Sequence, residues 1–176
     1  MINRLARHFS CLSMISAQTC SAFVMLKGKP VRLFRIMLQL RPPGMTNPIE
    51  HSFELAAERC ADLASLVYPR LHRAHPETQS MFRSEGSELV KDSMLALTIE
   101  AILDFAGERS GKFRMIECEL GSHDAYGTPR QLFVAFFGVI AETLREVLGA
   151  DWSPQIDDAW QKLLREIEGV VAASEA

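Results

Sequence analysis

Apolar residues recur at intervals of three and four along the chain from position 48 onward, and no alternating stretch long enough for a strand interrupts them. This spacing places apolar side chains on one face of an α-helix. It predicts one or two helices up to Arg73, a short helix from Pro76 to Phe82, and four longer helices over residues 89–105, 113–122, 129–148 and 154–171. The pattern therefore predicts an all-α domain of about seven or eight helices with short connections.

Local start and stop signals agree with these boundaries. Asn47-Pro48 and Ser153-Pro154 each combine a capping residue with proline at the first helical position. Between the helices near 113–122 and 129–148, Gly127 suits a left-handed helix end. Thr128 is predicted to cap the next helix, with Pro129 at its first position and Gln131 completing a capping box. These signals predict a sharp corner directly after His123.

Charge divides the chain into two unequal parts. Residues 1–44 contain seven basic residues and no acid, which leaves 12 basic and 22 acidic residues for the remainder. We predict that residues 47–174 form the domain and that residues 1–46 are a leader. This leader is a secretory signal, an organelle transit peptide, or translated sequence upstream of a start at Met45. The last interpretation is favoured, because a helix-opening signal follows Met45 directly.

Composition excludes several classes of protein. An acidic body argues against a nucleic-acid partner, because binding to phosphates requires clustered Lys and Arg. The uncharged run at residues 9–26 is too short and too polar for a membrane helix, so no membrane partner is expected. The four cysteines form no CxxC pattern typical of a zinc site.

His123 is the candidate ligand, because it is predicted on the last helical turn before the Gly127 corner. A histidine fixed there could present its imidazole to a pocket between two helices as an axial metal ligand. On this stretch alone, a histidine that caps carbonyls or meets the helix dipole is the more common case.

Several motifs together resemble the globins, in particular the bacterial single-domain haemoglobins and the globin domain of flavohaemoglobins. The stretch His75-Pro76-Glu77-Thr78-Gln79-Ser80-Met81-Phe82 resembles the short third globin helix, which ends in the phenylalanine that packs on haem. Tyr68, eight residues before Pro76, matches the distal tyrosine of the second helix. Ser122-His123-Asp124-Ala125-Tyr126-Gly127-Thr128 resembles the proximal histidine motif, and Leu148-Gly149 with Asp158-Ala159-Trp160 resembles the start of the last helix. The resemblance covers residues 47 to about 173.

The resemblance implies a globin fold around haem b, with His123 as the iron ligand and oxygen or another small diatomic on the opposite side. Tyr68 and Lys91 are then the candidate catalytic residues. Tyr68 would donate its O–H to the ligand, whereas Lys91 would contact the ligand, a haem propionate or water, with the last two favoured. Residues expected to contact haem are Phe82, Lys91, Leu95, Leu120, His123, Tyr126, Leu132, Phe133 and Phe136, although plain core packing explains the apolar ones equally well. A cytoplasmic monomer or homodimer is expected.

The chain also departs from the flavohaemoglobin pattern. Lys91 stands where glutamine is usual, and no tyrosine follows Pro129 at the position that activates the proximal histidine. The resemblance therefore implies reversible oxygen binding. It implies nitric oxide dioxygenation only if an external reductase supplies electrons. The alternative hypothesis is a haem-free sensory or interaction module with the same fold.

Overall fold

The computed structural model describes residues 47–82 and 87–174. The predicted leader, residues 1–46, and most of the predicted loop before the long helix, residues 83–86, lie outside this range. Six α-helices are found in the described part of the chain: α1 Pro48–Arg59, α2 Ala64–Ala74, α3 Ser87–Ala106, α4 Met115–Ala125, α5 Arg130–Leu148 and α6 Pro154–Ala173. Three short 3₁₀ helices accompany them: Pro76–Ser80, Lys112–Arg114 and Gly149–Asp151. The prediction of an all-helical domain is confirmed.

The predicted helix starts at both ends of the domain are confirmed in atomic detail. The Asn47 side chain accepts a hydrogen bond from the Glu50 N–H at 2.9 Å, with Pro48 in the first turn. The Ser153 hydroxyl accepts one from the Ile156 N–H at 3.3 Å. Each side chain satisfies a backbone donor that the helix itself leaves without a partner.

The helix count and type differ slightly from expectation. The first predicted stretch resolves into α1 and α2, because the chain leaves helical geometry at Cys60 and re-enters it at Ala64. Pro69 lies inside α2. The segment from Pro76 is a 3₁₀ helix that ends at Ser80, so Phe82 follows it in a turn. Within the described residues, the total is thus six α-helices where seven or eight helices were predicted.

The core forms where α1, α2 and α6 pack against α5, with α4 also touching α5 and α6. Its largest member is Trp160, whose ring centroid lies 5.7 Å from that of Phe53. The indole Nε1–H of Trp160 donates to the Ser52 hydroxyl at 3.0 Å, which joins α6 to α1 inside the core. This packing leaves α3 and α4 to enclose a separate space with α5. None of the helices in residues 47–82 and 87–174 combines the length and apolar character needed to span a bilayer.

Candidate functional site

A cavity of about 670 Å³ lies between α3, α4, α5 and the segment around Pro76–Ser80. Its walls are mostly apolar, and each of these elements contributes to them. The lining residues are Leu71, Thr78, Met81, Phe82, Val90, Met94, Leu97, Thr98, Ala101, Met115, Ile116, Glu119, Ser122, His123, Tyr126, Thr128, Leu132, Phe133, Phe136 and Phe137. A concave, largely apolar space of this size is typical of sites that bind small molecules or cofactors, which measure about 300–1,000 Å³.

His123 brings a basic nitrogen to this apolar wall. Its Nδ1 lies 2.7 Å from the carbonyl oxygen of Glu119, one turn earlier on α4. A carbonyl only accepts hydrogen bonds, so Nδ1 carries the proton and Nε2 carries the lone pair. The Phe133 ring packs edge-on against the imidazole at 5.1 Å between centroids. The His123 imidazole is therefore oriented by the Glu119 carbonyl and the Phe133 ring, and its Nε2 remains available as a ligand.

The corner after His123 is a Schellman motif. The Thr128 N–H donates to the carbonyl of His123 at 2.9 Å, and the Gly127 N–H donates to that of Asp124 at 3.0 Å. Gly127 has a φ of +76°, as its predicted role in closing the helix requires. The His123 backbone is thereby held directly by the turn that ends α4.

The predicted capping box at Thr128 is wrong. Helix α5 begins at Arg130, with Pro129 as its cap residue and no side-chain cap. The first helical carbonyl is that of Pro129, which accepts from Leu132 N–H at 2.9 Å and Phe133 N–H at 3.1 Å. Thr128 is not the cap because it lies one residue too early: the hydrogen bonds of α5 start at the Pro129 carbonyl, whereas the Thr128 N–H completes the Schellman motif of α4.

An ion pair fastens this corner to α5. The Arg130 guanidinium donates from Nη2 to one Asp124 carboxylate oxygen at 2.6 Å and from Nε to the other at 3.2 Å. Its Nη1 donates to the carbonyl of Val171 on α6 at 3.4 Å. A two-point pair of this kind fixes orientation as well as distance. The residue after His123 is thus tied to both following helices.

The other end of α4 is set by a buried carboxylate on α3. Asp104 accepts hydrogen bonds from the N–H groups of Ser110 at 2.9 Å, Gly111 at 3.0 Å and Phe113 at 2.9 Å, and from the Ser110 hydroxyl. Burial alone would raise the pKa of Asp104, but these hydrogen bonds outweigh it and lower the pKa to about 2. Asp104 therefore stays ionised and organises the loop that leads into α4.

Phe82 contributes to the cavity wall as part of an aromatic cluster. Its ring centroid lies 5.5 Å from that of Tyr68 and 5.9 Å from the His72 imidazole. Tyr68 in turn lies 5.8 Å from Phe136 on α5. These contacts hold Phe82 against α2 and α5 although it lies outside regular helix.

Tyr68 itself is buried behind this wall and does not line the cavity. Its hydroxyl donates to the backbone carbonyl of Lys91 at 2.7 Å. Burial raises the pKa of Tyr68, and the nearby carboxylates of Asp92 and Glu88 raise it further, so the phenol stays protonated. Its single O–H is therefore already engaged in a hydrogen bond that joins α2 to α3.

Lys91 likewise lies beside the cavity rather than on its wall. Its Nζ pairs with a Glu88 carboxylate oxygen at 2.7 Å and lies 5.6 Å from the Tyr68 ring centroid and 5.7 Å from that of Phe82. The side chain is only 15% exposed, so the ammonium is held by one carboxylate and two aromatic faces.

The structure brings together six of the predicted site residues in one cavity wall: Phe82, His123, Tyr126, Leu132, Phe133 and Phe136. The remaining four do not line it: Tyr68, Lys91, Leu95 and Leu120. Leu95 and Leu120 are buried core residues. Tyr126 is 88% exposed, so it stands at the edge of the cavity.

On α3, the residues that line the cavity differ from the two that were predicted. The cavity-lining residues of this helix are Val90, Met94, Leu97, Thr98 and Ala101. Lys91 and Leu95 each follow one of these residues by one position, which rotates them by about 100° around the helix. Apolar residues surround most of α3, so its pattern alone does not reveal which side faces the cavity. The spacing of Met94, Thr98 and Ala101 was the available signal.

Two further observations limit the kind of site. No group of three or more His, Cys, Asp or Glu in the described part of the chain could hold a bare metal ion. The Nδ1 of His72, a histidine on α2, lies 2.7 Å from the Thr78 hydroxyl. Burial lowers the pKa of His72, and the Lys91 ammonium lowers it further. Of the histidines in the described part of the chain, His123 is the one that lines the cavity.

Comparison with known proteins agrees with this geometry. The family model described as Globin matches residues 65–171, which is more than half of the chain. No curated protein and no solved structure matches the chain.

Proposed function

Because the chain belongs to the globin family and has its all-α fold, we propose that it holds haem b in the cavity through His123. Its function would then be the reversible binding of oxygen or another small diatomic, as in single-domain bacterial haemoglobins. The observation that supports this proposal most strongly is the single imidazole with a free Nε2 in an otherwise apolar cavity.

The residues present fit haem in size, shape and donor chemistry. Phe82, Phe133 and Phe136 provide flat apolar surface for a macrocycle, and His123 provides one nitrogen ligand. When bound, haem would supply an iron that can accept a diatomic ligand. The apolar residues of the cavity wall would keep water away from the bound group. Ser122, Tyr126 and Thr128 also line the cavity, and their hydroxyl groups are candidate partners for the polar substituents of haem.

The Glu119 carbonyl has a defined role in this proposal. Its hydrogen bond fixes the Nδ1–H tautomer of His123, so no tautomer change is needed for Nε2 to act as a ligand. The acceptor is a neutral carbonyl, so it gives the imidazole little of the anionic character that a carboxylate partner would provide. This supports ligand binding more than the cleavage of a bound peroxide.

Tyr68 and Lys91 are proposed to influence the ligand from behind the wall. For Tyr68 to donate to a diatomic, its O–H must exchange the Lys91 carbonyl for the ligand. We expect Tyr68→Phe to retain haem and to increase the oxygen dissociation rate in stopped-flow measurements. An unchanged dissociation rate would mean that the Tyr68 hydroxyl only joins α2 to α3 and does not contact the ligand.

Nitric oxide dioxygenation is a second reaction class for the same site. It would convert nitric oxide and oxygen to nitrate, and repeated turnover would require electrons from an external reductase. Consumption of nitric oxide by the oxygenated protein, measured with an electrode, tests the chemical step, and its dependence on added reductant tests turnover.

The test of the haem proposal is His123→Ala in the full chain, produced with haem available. We expect folded, helical protein that has lost haem, and partial recovery of the absorption spectrum when free imidazole is added. His51→Ala is the control, because His51 is an exposed histidine on α1, outside the cavity. Normal haem retention by His123→Ala would refute His123 as ligand. Folded wild-type protein without haem affinity would favour the haem-free module.

A further inference from the structure

The face of α3 that meets the cavity contains two side chains with a heteroatom, Met94 and Thr98, among the residues described. The others on this face are aliphatic: Val90, Leu97 and Ala101. His123 lies on α4, a different wall of the same cavity. Any second protein ligand from α3 to a metal held by His123 must therefore come from Met94 or Thr98.

The hydroxyl of Thr98 is already used. Its Oγ1 donates to the Met94 carbonyl at 2.7 Å, a hydrogen bond to the preceding turn of α3. A neutral hydroxyl is also a poor ligand for haem iron compared with a thioether. The two polar groups next to this face are engaged as well, because the Tyr68 hydroxyl donates to the Lys91 carbonyl and Lys91 pairs with Glu88.

The thioether of Met94 has no such competing partner, and its chemistry suits the metal. Thioether sulfur is a soft ligand, and a His/Met pair is one of the established axial sets of haem iron. It is neutral at every pH, so it binds without losing a proton, whereas the ammonium of Lys91 would first have to be deprotonated. Three rotatable bonds allow the sulfur to approach or leave the iron while α3 stays in place.

Two other methionines line the cavity but are less suitable. Met115 lies on α4 itself, eight residues before His123, which separates them by about 12 Å along the same helix. It therefore cannot stand opposite His123 on one metal. Met81 lies in the turn before Phe82 and is 45% exposed, so it is less enclosed than the half-buried Met94.

We propose that Met94 Sδ is the second axial ligand of the haem iron, opposite His123, and that an incoming diatomic must displace it. This inference rests on the proposed function, since it requires haem bound through His123. It makes the resting iron six-coordinate and makes departure of Met94 the step that admits the ligand.

The test uses the full chain carrying haem and compares wild type with Met94→Leu, Met81→Leu and Met115→Leu. Leucine is close to methionine in volume, so each change removes sulfur while keeping the wall filled. We expect the ferric wild type to be low-spin, with the charge-transfer band of thioether ligation and a sulfur neighbour in iron X-ray absorption. Met94→Leu should lose both signals and become high-spin, while the two control variants keep them.

Ligand kinetics provide a second measurement. In ferrous wild-type protein the carbon monoxide binding rate should level off as its concentration rises, because Met94 departure becomes limiting. In Met94→Leu the rate should rise linearly. High-spin wild-type haem without a sulfur neighbour would overturn the inference, as would a sulfur signal that survives in Met94→Leu. Either result would leave haem binding through His123 intact, whereas wild-type protein that takes up no haem would overturn the proposed function itself.

Discussion

Replacing Asp104 by asparagine tests how the loop before α4 is held. Both carboxylate oxygens accept hydrogen bonds, from Ser110 on one side and from the Gly111 and Phe113 N–H groups on the other. Asparagine keeps one oxygen but turns an NH₂ group toward backbone donors, so at least one buried N–H loses its partner. We therefore expect Asp104→Asn to unfold more easily at neutral pH.

The magnitude follows from the pKa of Asp104, which is lowered from 3.8 to about 2. At 1.36 kcal/mol per pKa unit, the ionised carboxylate stabilises the folded chain by about 2 kcal/mol. Because the pKa of Asp104 is lower in the folded chain than in the unfolded chain, this stability is present above the unfolded pKa of 3.8. It is lost as the pH falls toward 2. At pH 3 about 1 kcal/mol should remain.

The assay is urea unfolding at pH 7, 5, 4 and 3, followed by circular dichroism. The difference in unfolding free energy between wild type and Asp104→Asn should stay constant from pH 7 to 5, then shrink by about 1 kcal/mol by pH 3. Asp158→Asn is the matched control, because Asp158 is an exposed carboxylate on α6. A difference that stays constant down to pH 3, or an equal effect of the control, would refute the reasoning.

Two further predictions concern stability. Gly127→Ala should lower the free energy of unfolding by about 1–2 kcal/mol, because alanine is strained at a positive φ although no atom crowds the site. Gly138→Ala, in the interior of α5, should instead raise it by roughly 0.5–1 kcal/mol, and thermal melts that rank the two variants the other way would contradict this. Trp160→Phe should cost about 2 kcal/mol because it removes the buried hydrogen bond to Ser52. The half-buried Trp152→Phe should cost less in the same urea titration, and equal losses would argue against a special role for that bond.

Much of the fold was predictable because its signals are local. The Asn47 and Ser153 caps each depend on a side chain and a backbone N–H three residues away. Gly127 was predictable for the same reason, since the left-handed region favours glycine. Thr128 was misassigned because its residue type suits a helix cap, whereas α5 starts one residue later with Pro129 as its cap.

Residues that line the cavity were predictable only where the local chain fixes their direction. His123 and Phe82 lie next to a corner or turn, and both line the cavity. The cavity face of α3 depends instead on how the whole helix is rotated against α4 and α5, and its sequence does not specify this because apolar and polar residues occur on all sides of the helix. The hydrogen bond from Tyr68 to the Lys91 carbonyl joins residues 23 positions apart, so it required the packed structure.

The central claim is that this cavity holds haem through His123, and the most direct measurement is a hemin titration of the full chain. The absorption spectrum would be recorded in the ferric, ferrous and ferrous carbon monoxide forms. We predict saturation at one haem per chain, with a sharp Soret band that shifts on reduction and again with carbon monoxide. Folded, helical protein that shows no saturable change in the hemin spectrum would contradict it.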